Sequence, residues 1–319
     1  MSRFGLDHDP LPWLLSSRNL AVRLRAAREL EDRPVDRSPI LDMPAVKRIL
    51  RKQQTDGSWR YPGRRADEWM NYEYLETYRQ LGELVEMYGL DSSHPAVALG
   101  AEYLLGLQTD EGDIRGIYGK DYSPNYTAAV LEIMVRAGLE GDPRVGKGLD
   151  WLLSMRQDDG GWAVPLRTVG WKFYAPRPSC PGPVQPDRSK PSSHMVSGVV
   201  LRALAVSERC RHRDDIQAIG RWLASRFFTA DRYPDRRAAD YWTKFTYPFW
   251  FTDLVSALDS LSMMGVPADH PPVADAIEWF RSRQREDGSW RLTYLKNIGK
   301  DVDLWVHFGL CRALKRYSV

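Results

Sequence analysis

The sequence predicts an all-α fold of repeated helix pairs, and three observations carry that prediction. A helix-ending segment, Lys52-Gln53-Gln54-Thr55-Asp56-Gly57-Ser58-Trp59, returns as Leu107-Gln108-Thr109-Asp110-Glu111-Gly112-Asp113, as Arg156-Gln157-Asp158-Asp159-Gly160-Gly161-Trp162, and as Arg283-Gln284-Arg285-Glu286-Asp287-Gly288-Ser289-Trp290. Apolar residues at helical spacing lead into the copies, as Val46, Ile49 and Leu50 do into the first. Helix-start signals such as Asp142-Pro143 open the runs, because Asp caps the first amides and Pro fits the first turn.

Each copy has one physical sense. The helix stops at its Gln, and Gly tolerates the left-handed backbone that ends it. The Trp folds back onto the helix end, while the Gln amide bonds exposed backbone groups or the indole N–H. These residues read as staples between helices rather than as chemistry. With glutamines 54, 108, 157 and 284 as anchors, the spacings are 54, 49 and 127 residues (54 to 108, 108 to 157, 157 to 284). The last fits two units with an insertion, and Arg226-Phe227-Phe228-Thr229-Ala230-Asp231-Arg232-Tyr233 is placed to be a worn copy.

Before the first copy, Asp9 to Leu15 is a short apolar segment, and Ser17 can cap an amphipathic run whose Leu20, Leu24, Ala27 and Leu30 share a face. A helix from about Pro44 completes that pair. The second unit predicts a long helix from Asp67 to Tyr88, ended by Gly89, and a partner from Pro95 to Leu107. The third starts at Tyr122-Ser123-Pro124 and runs to Gly138, with its partner capped at Asp142. Residues 164–190 carry six prolines and no helical period; they read either as a lid or partner surface or as a passive insertion. Ser192 or Ser193 then starts a helix through Met195 and Leu204, answered by Ile216 to Leu223. The fifth unit opens on the aromatic stretch Tyr241 to Phe251, continues to Gly265, and is answered by Pro271 to Gln284. The last helix, Val302 to Lys315, has no successor, and the segment around Trp13 is available as its partner.

The 319 residues are enough for a large core, and the regular repeat points to one closed domain over 1–319. A net charge of only +3 gives no electrostatic case for a nucleic-acid partner. The start of the chain lacks the apolar core of a signal peptide and no run approaches the ~18 residues of a membrane span, so a cytoplasmic location is expected. Cys180, Cys210 and Cys311 make neither a disulfide framework nor a CxxC pattern and read as free thiols. The 12 Trp and 15 Tyr exceed what one Trp per repeat uses.

Repeated helix pairs ending in Gln-x-x-Asp-Gly-x-Trp resemble the repeats of the squalene–hopene cyclase and protein prenyltransferase superfamily, from about residue 44 to the end. The resemblance implies an α/α toroid of five or six inner and outer helix pairs. It also implies that inner-helix starts converge on one end of a central cavity. Aromatic and histidine residues recur at those starts: Trp69, Tyr72, Tyr122, Tyr126, His194, Trp242, Phe245, Phe249, Trp250, Trp305 and His307 are candidate substrate-binding residues. Ring faces suit a polyene and a passing carbocation, whereas the plainer reading is that they fill the core.

Class II cyclases of this superfamily protonate an alkene with the middle aspartate of Asp-x-Asp-Asp. Asp301-Val302-Asp303-Leu304 is similar in its first three positions, which makes Asp303 the candidate acid and Asp301 its neighbour; Asp253 is a second acid candidate. The competing role for each is a helix cap. The Asp-x-Cys element of the zinc enzymes is missing, and His307 with Cys311 would give only two ligands, so no metal site is expected. Basic residues near the same starts (Arg60, Arg64, Arg65, Arg115, Lys120, Arg167, Lys172, Lys190, Lys244, Arg291, Lys296, Lys300) could receive a diphosphate, with Mg²⁺ as its companion, or could be ordinary solvated loop residues. The expected ligand is a small apolar molecule, isoprenoid in type, that is cyclised or bound. The alternatives are a non-catalytic toroid binding a lipid or peptide, and a carbohydrate-active toroid. The sequence does not fix an oligomeric state.

Overall fold

The computed structural model describes residues 4–65, 70–171, 182–233, 236–295 and 301–318. The architecture is all-α and of paired helices, with two two-residue strands as the described β-structure. The chain divides into two compact units. The first holds residues up to Met43, Glu208–Asp231 and the stretch from Arg236 onward; the second holds Pro44–Ser207 and 232–235.

The chain enters the first unit through α1 (Leu11–Leu15) and α2 (Leu20–Leu30). Asn19 caps α2 by accepting from the amides of Ala21 and Val22.

The second unit contains α3 (Pro44–Arg51), α4 (Tyr72–Gly82), α5 (Pro95–Leu105), α6 (Pro124–Arg136), α7 (Pro143–Ser154), the short α8 (Pro165–Thr168) and α9 (His194–Val206). The long helix predicted from Asp67 is described only from Tyr72. A π-helical turn, Glu83–Met87, then carries it on until Gly89 ends it in the left-handed conformation. Asp142 and Ser193 cap α7 and α9 through their side chains. Helix α6 packs on α4, α7 and α9. A buried ion pair, Arg202 Nε to Glu132 Oε2 at 2.8 Å, ties α9 to α6.

The first unit resumes with α10 (Asp214–Ala224), α11 (Leu254–Met263), α12 (Pro271–Arg281) and α13 (Val302–Tyr317). The aromatic stretch from Tyr241 does not begin a helix as expected. After a 3₁₀ turn, strand β1 (Lys244–Phe245) pairs in parallel with β2 (Thr293–Tyr294), and the helix begins only at Leu254. Pro248 cannot donate to a helix ladder, and the residue before a proline is biased towards extended backbone. Helix α13 packs on α11, α1 and α2, so the N-terminal helices supply its partners. Asp259 of α11 accepts from Arg312 and Arg316 of α13, at 2.9 Å from each.

The repeated segments form four closures of one geometry. Glycines 57, 112, 160 and 288 all have positive φ, between 83° and 105°. In each closure a backbone amide donates to the carbonyl four residues on: Gln54 N–H to Ser58 O, Thr109 to Asp113 O, Gln157 to Gly161 O and Arg285 to Ser289 O. This sets a register one residue away from that expected in two copies. The amide that staples the first closure belongs to Gln53, whose Nε2 donates to Gly57 O and to Ala96 O of α5. Gln54 Nε2 reaches only Lys52 O at the surface. In the third closure Arg156 takes the staple position, and Gln157 instead donates to Asp187 O and Lys190 O, holding the returning end of the 164–190 segment. Gln108 and Gln284 are the staples of the other two.

The staples also specify the next element. Gln108 Nε2 reaches Arg144 O at the start of α7, as Gln53 reaches the start of α5. Gln284 reaches His8 O, and His8 N–H returns a bond to Gln284 Oε1. The segment before α1 thus follows the fourth closure as α5 and α7 follow the first two. A Cβ on Gly288 would lie 2.3 Å from Asp9 O, just as one on Gly57 would lie 2.2 Å from Leu99 O. Backbones this close admit only glycine.

Candidate functional site

Helix α13 begins at Asp301, whose φ is 64°. Its carboxylate accepts from Asn19 Nδ2 at 3.1 Å and lies 3.9 Å from Arg18. Asp301 therefore holds the start of α2 against the start of α13. Asp303 and His307 are four apart and share a helix face. His307 is 2% exposed, whereas Asp303 reaches solvent.

The proton on His307 is placed by its neighbours. The backbone N–H of Trp290 donates to Nε2 at 2.8 Å, so Nδ1 carries the hydrogen and donates to the Asp303 carbonyl at 2.6 Å. Burial lowers the imidazole pKa to about 4, which keeps the ring neutral near neutral pH. The other closures use hydroxyls here. Thr77 accepts from Trp59 N–H, Thr127 from Ile114 N–H and Ser197 from Trp162 N–H.

Replacing a hydroxyl with an imidazole brings aromatic rings together around a cavity of about 220 Å³. The His307 ring lies 4.6 Å from that of Trp13 and 5.3 Å from that of Trp290, centroid to centroid. Tyr294 and Asp303 complete the wall, and Arg285 and Arg291 stand at it as cations. Burial pushes the Tyr294 phenol up, so it is protonated. Chemically the cavity offers ring faces, one carboxylate, two guanidiniums and a neutral imidazole.

Of the residues named from sequence, Asp303, His307 and Arg291 meet in this cavity. Trp305 is buried beside them in sequence but stacks on Tyr247 at 5.7 Å. Trp242 is buried against Phe227, its indole N–H donating to Thr229 O. Phe245 packs on Trp279 and Phe280, and Phe249 on Tyr247. Trp250 is half-buried, and its amide donates to Pro248 O. Asp253 is the N-cap of α11 in a reciprocal capping box with Ser256. Cys311 is fully buried and its thiol is pushed up in pKa by burial.

In the other unit, Tyr72 pairs with Tyr61 at 4.9 Å, and the ring of Tyr126 meets Tyr74 edge-on. Tyr122 donates to Glu111 Oε2, accepts from Gln185 and packs on Trp151. His194 is buried at the first turn of α9. Trp69, Lys172, Cys180, Lys296 and Lys300 lie outside the described residues. Among the described residues no group of three His, Cys, Asp or Glu is placed to hold a metal ion, and no helix is long and apolar enough to cross a membrane.

Trp290, Tyr294 and Arg285 are among the cavity residues that the sequence pattern does not single out. Trp290 and Arg285 read there as parts of a staple, and Tyr294 is not singled out there. The signal that singles out their closure is a histidine, His307, at the helix position where the other copies carry a hydroxyl.

No family model matches the chain. Its curated relatives include the squalene–hopene cyclase of Bradyrhizobium diazoefficiens, 26% identical over 184 residues, which cover 54% of this chain and 26% of the relative. That of Schizosaccharomyces japonicus is 37% identical over 70 residues, 21% of this chain and 10% of the relative. That of Zymomonas mobilis is 24% identical over 183 residues, 54% and 26%. The matched segments thus span about a quarter or less of these relatives' length. Among solved structures, a protein from Actinoplanes gives a TM-score of 0.45 at 18% identity, covering 89% of this chain and 88% of its own. The apo type II terpene cyclase MstE from Scytonema gives 0.36 at 14%, covering 88% and 97%. In sequence the chain is similar, over part of its length, to the squalene–hopene cyclases.

Proposed function

We propose that this chain forms an α/α toroid that handles a polyprenyl-type molecule in the manner of a terpene cyclase, with Asp303 as its acid. The observation that supports this most is the meeting of Asp303 with Trp13, Trp290, Tyr294 and His307 around one cavity. In the proposed step, the Asp303 carboxyl gives a proton to a terminal alkene and the cation forms on the adjacent carbon. The faces of Trp13 and Trp290 stabilise positive charge without reacting with it. The neutral His307, locked by Trp290 N–H and the Asp303 carbonyl, holds both walls in place. A cavity of this size is below the ~300–1,000 Å³ usual for whole small-molecule ligands, so it receives the reacting end of the chain.

Three observations favour a second reading, non-catalytic binding of a lipid. Asp303 reaches solvent, Leu304 stands where the motif ends in Asp, and Asp301 is engaged with Asn19. Incubation with squalene and with geranylgeranyl diphosphate, with and without Mg²⁺, beside Asp303→Asn, separates the readings. A cyclised product lost in the variant supports cyclisation. Unchanged substrate that raises the melting temperature supports binding, and no effect of either compound removes the isoprenoid reading.

A further inference from the structure

Phe228, in the turn after α10, is held in the left-handed conformation with φ of 60°. That backbone suits glycine or asparagine and is costly for a bulky side chain, so such an outlier points to a use for the residue. Burial is not the use. The ring is 38% exposed and meets Trp279 of α12 at 6.4 Å between centroids.

Trp279 and Trp222 repeat one arrangement. Each lies near the end of its helix, α12 or α10, is half-buried, and is covered by an arginine four residues further on. Arg283 lies 4.1 Å from the Trp279 ring centroid, and Arg226 lies 5.3 Å from that of Trp222. The stretches 221–230 and 279–285 together hold five arginines and no acid. Arg281 is paired with Glu278, and Arg285 has Asp287 beside it. Arg221, Arg226 and Arg283 have no carboxylate partner among the described residues.

Partly exposed rings beside uncompensated guanidiniums suit the boundary between hydrocarbon and anionic headgroups. There the rings enter the apolar side, and the arginines keep their charge among the phosphates. The chain's net charge of only +3 argues against a nucleic acid as the partner. We propose that the face carrying Trp222, Arg226, Phe228, Trp279 and Arg283 docks on an anionic lipid bilayer, with Phe228 as the inserted ring. Such docking is independent of what the cavity beside His307 binds.

The test is flotation of the full chain with vesicles of phosphatidylcholine, alone or mixed with phosphatidylserine. Binding to the mixed vesicles is expected, with little to the neutral ones, and it should weaken as salt rises. Phe228→Asn should bind about tenfold more weakly yet melt at about the same temperature, because asparagine accepts the left-handed backbone. The combined Arg226→Gln and Arg283→Gln variant leaves the core untouched and should bind about twentyfold more weakly. Equal binding by the variants and the unaltered chain, or no binding to either vesicle, overturns the docking surface. A lower melting temperature for Phe228→Asn with vesicle binding unchanged assigns the ring to packing and overturns its insertion. Retention on heparin without flotation assigns the face to a soluble polyanion and overturns the bilayer.

Discussion

The backbone N–H of Trp290 donates to Nε2 of His307 at 2.8 Å, where the three earlier closures place a hydroxyl of Thr77, Thr127 or Ser197. One exchange of residue type keeps the staple and adds a titratable ring to the cavity wall. Stability should therefore depend on pH through this residue. The folded pKa, about 4, lies below the ordinary 6.5, so the unfolded chain binds the proton more tightly between those values. The contribution is fully present above about pH 6.5, is lost as pH falls to about 4, and amounts to of order 3 kcal/mol. Urea unfolding from pH 7 to 4 checks it: His307→Thr should show a shallower decline than the unaltered chain.

The register of the first closure has its own test. Gln53→Leu removes two bonds to backbone carbonyls and is expected to cost about 1–3 kcal/mol. Gln54→Leu removes only a surface bond and should fall within about 0.5 kcal/mol of the unaltered protein by denaturant titration. The reverse ranking would mean that Gln54 is the staple.

The closure glycines should separate steric from conformational cost. Gly57→Ala and Gly288→Ala each place a methyl within 2.3 Å of a backbone oxygen, at positive φ. Losses above about 3 kcal/mol are expected. Gly265→Ala, also at positive φ but with nothing within 4 Å, should cost only about 1 kcal/mol. Thermal melts of the three variants decide this.

The Glu132–Arg202 pair is almost entirely buried, and charge partners lower the Glu132 pKa and raise that of Arg202 against the opposing effect of burial. Arg202→Leu alone strands a carboxylate that Arg136 only partly compensates, and should destabilise by about 3–5 kcal/mol. Glu132→Leu combined with Arg202→Leu should recover much of that loss. Equal losses in the single and double variants would show that packing, not charge, dominates at this site.

Helix pairs and closures were legible because they depend on spacings of three to seven residues. Backbone geometry translates such spacings directly into turns, caps and faces. The aromatic stretch at Tyr241 to Phe251 misled for the same reason in reverse: its composition matched a pocket wall, while Pro248 and the parallel pairing with Thr293–Tyr294 drew it into an extended segment. Only tertiary structure chose Gln53 over Gln54, because the choice depends on which amide faces Ala96. It alone brought Trp13 onto His307 and joined His8 to Gln284, 276 residues apart. Likewise, an indole N–H carries no mark in the sequence of whether it will find an acceptor. Trp59, Trp162 and Trp290 read alike, and packing left the last of them buried without an acceptor among the described residues.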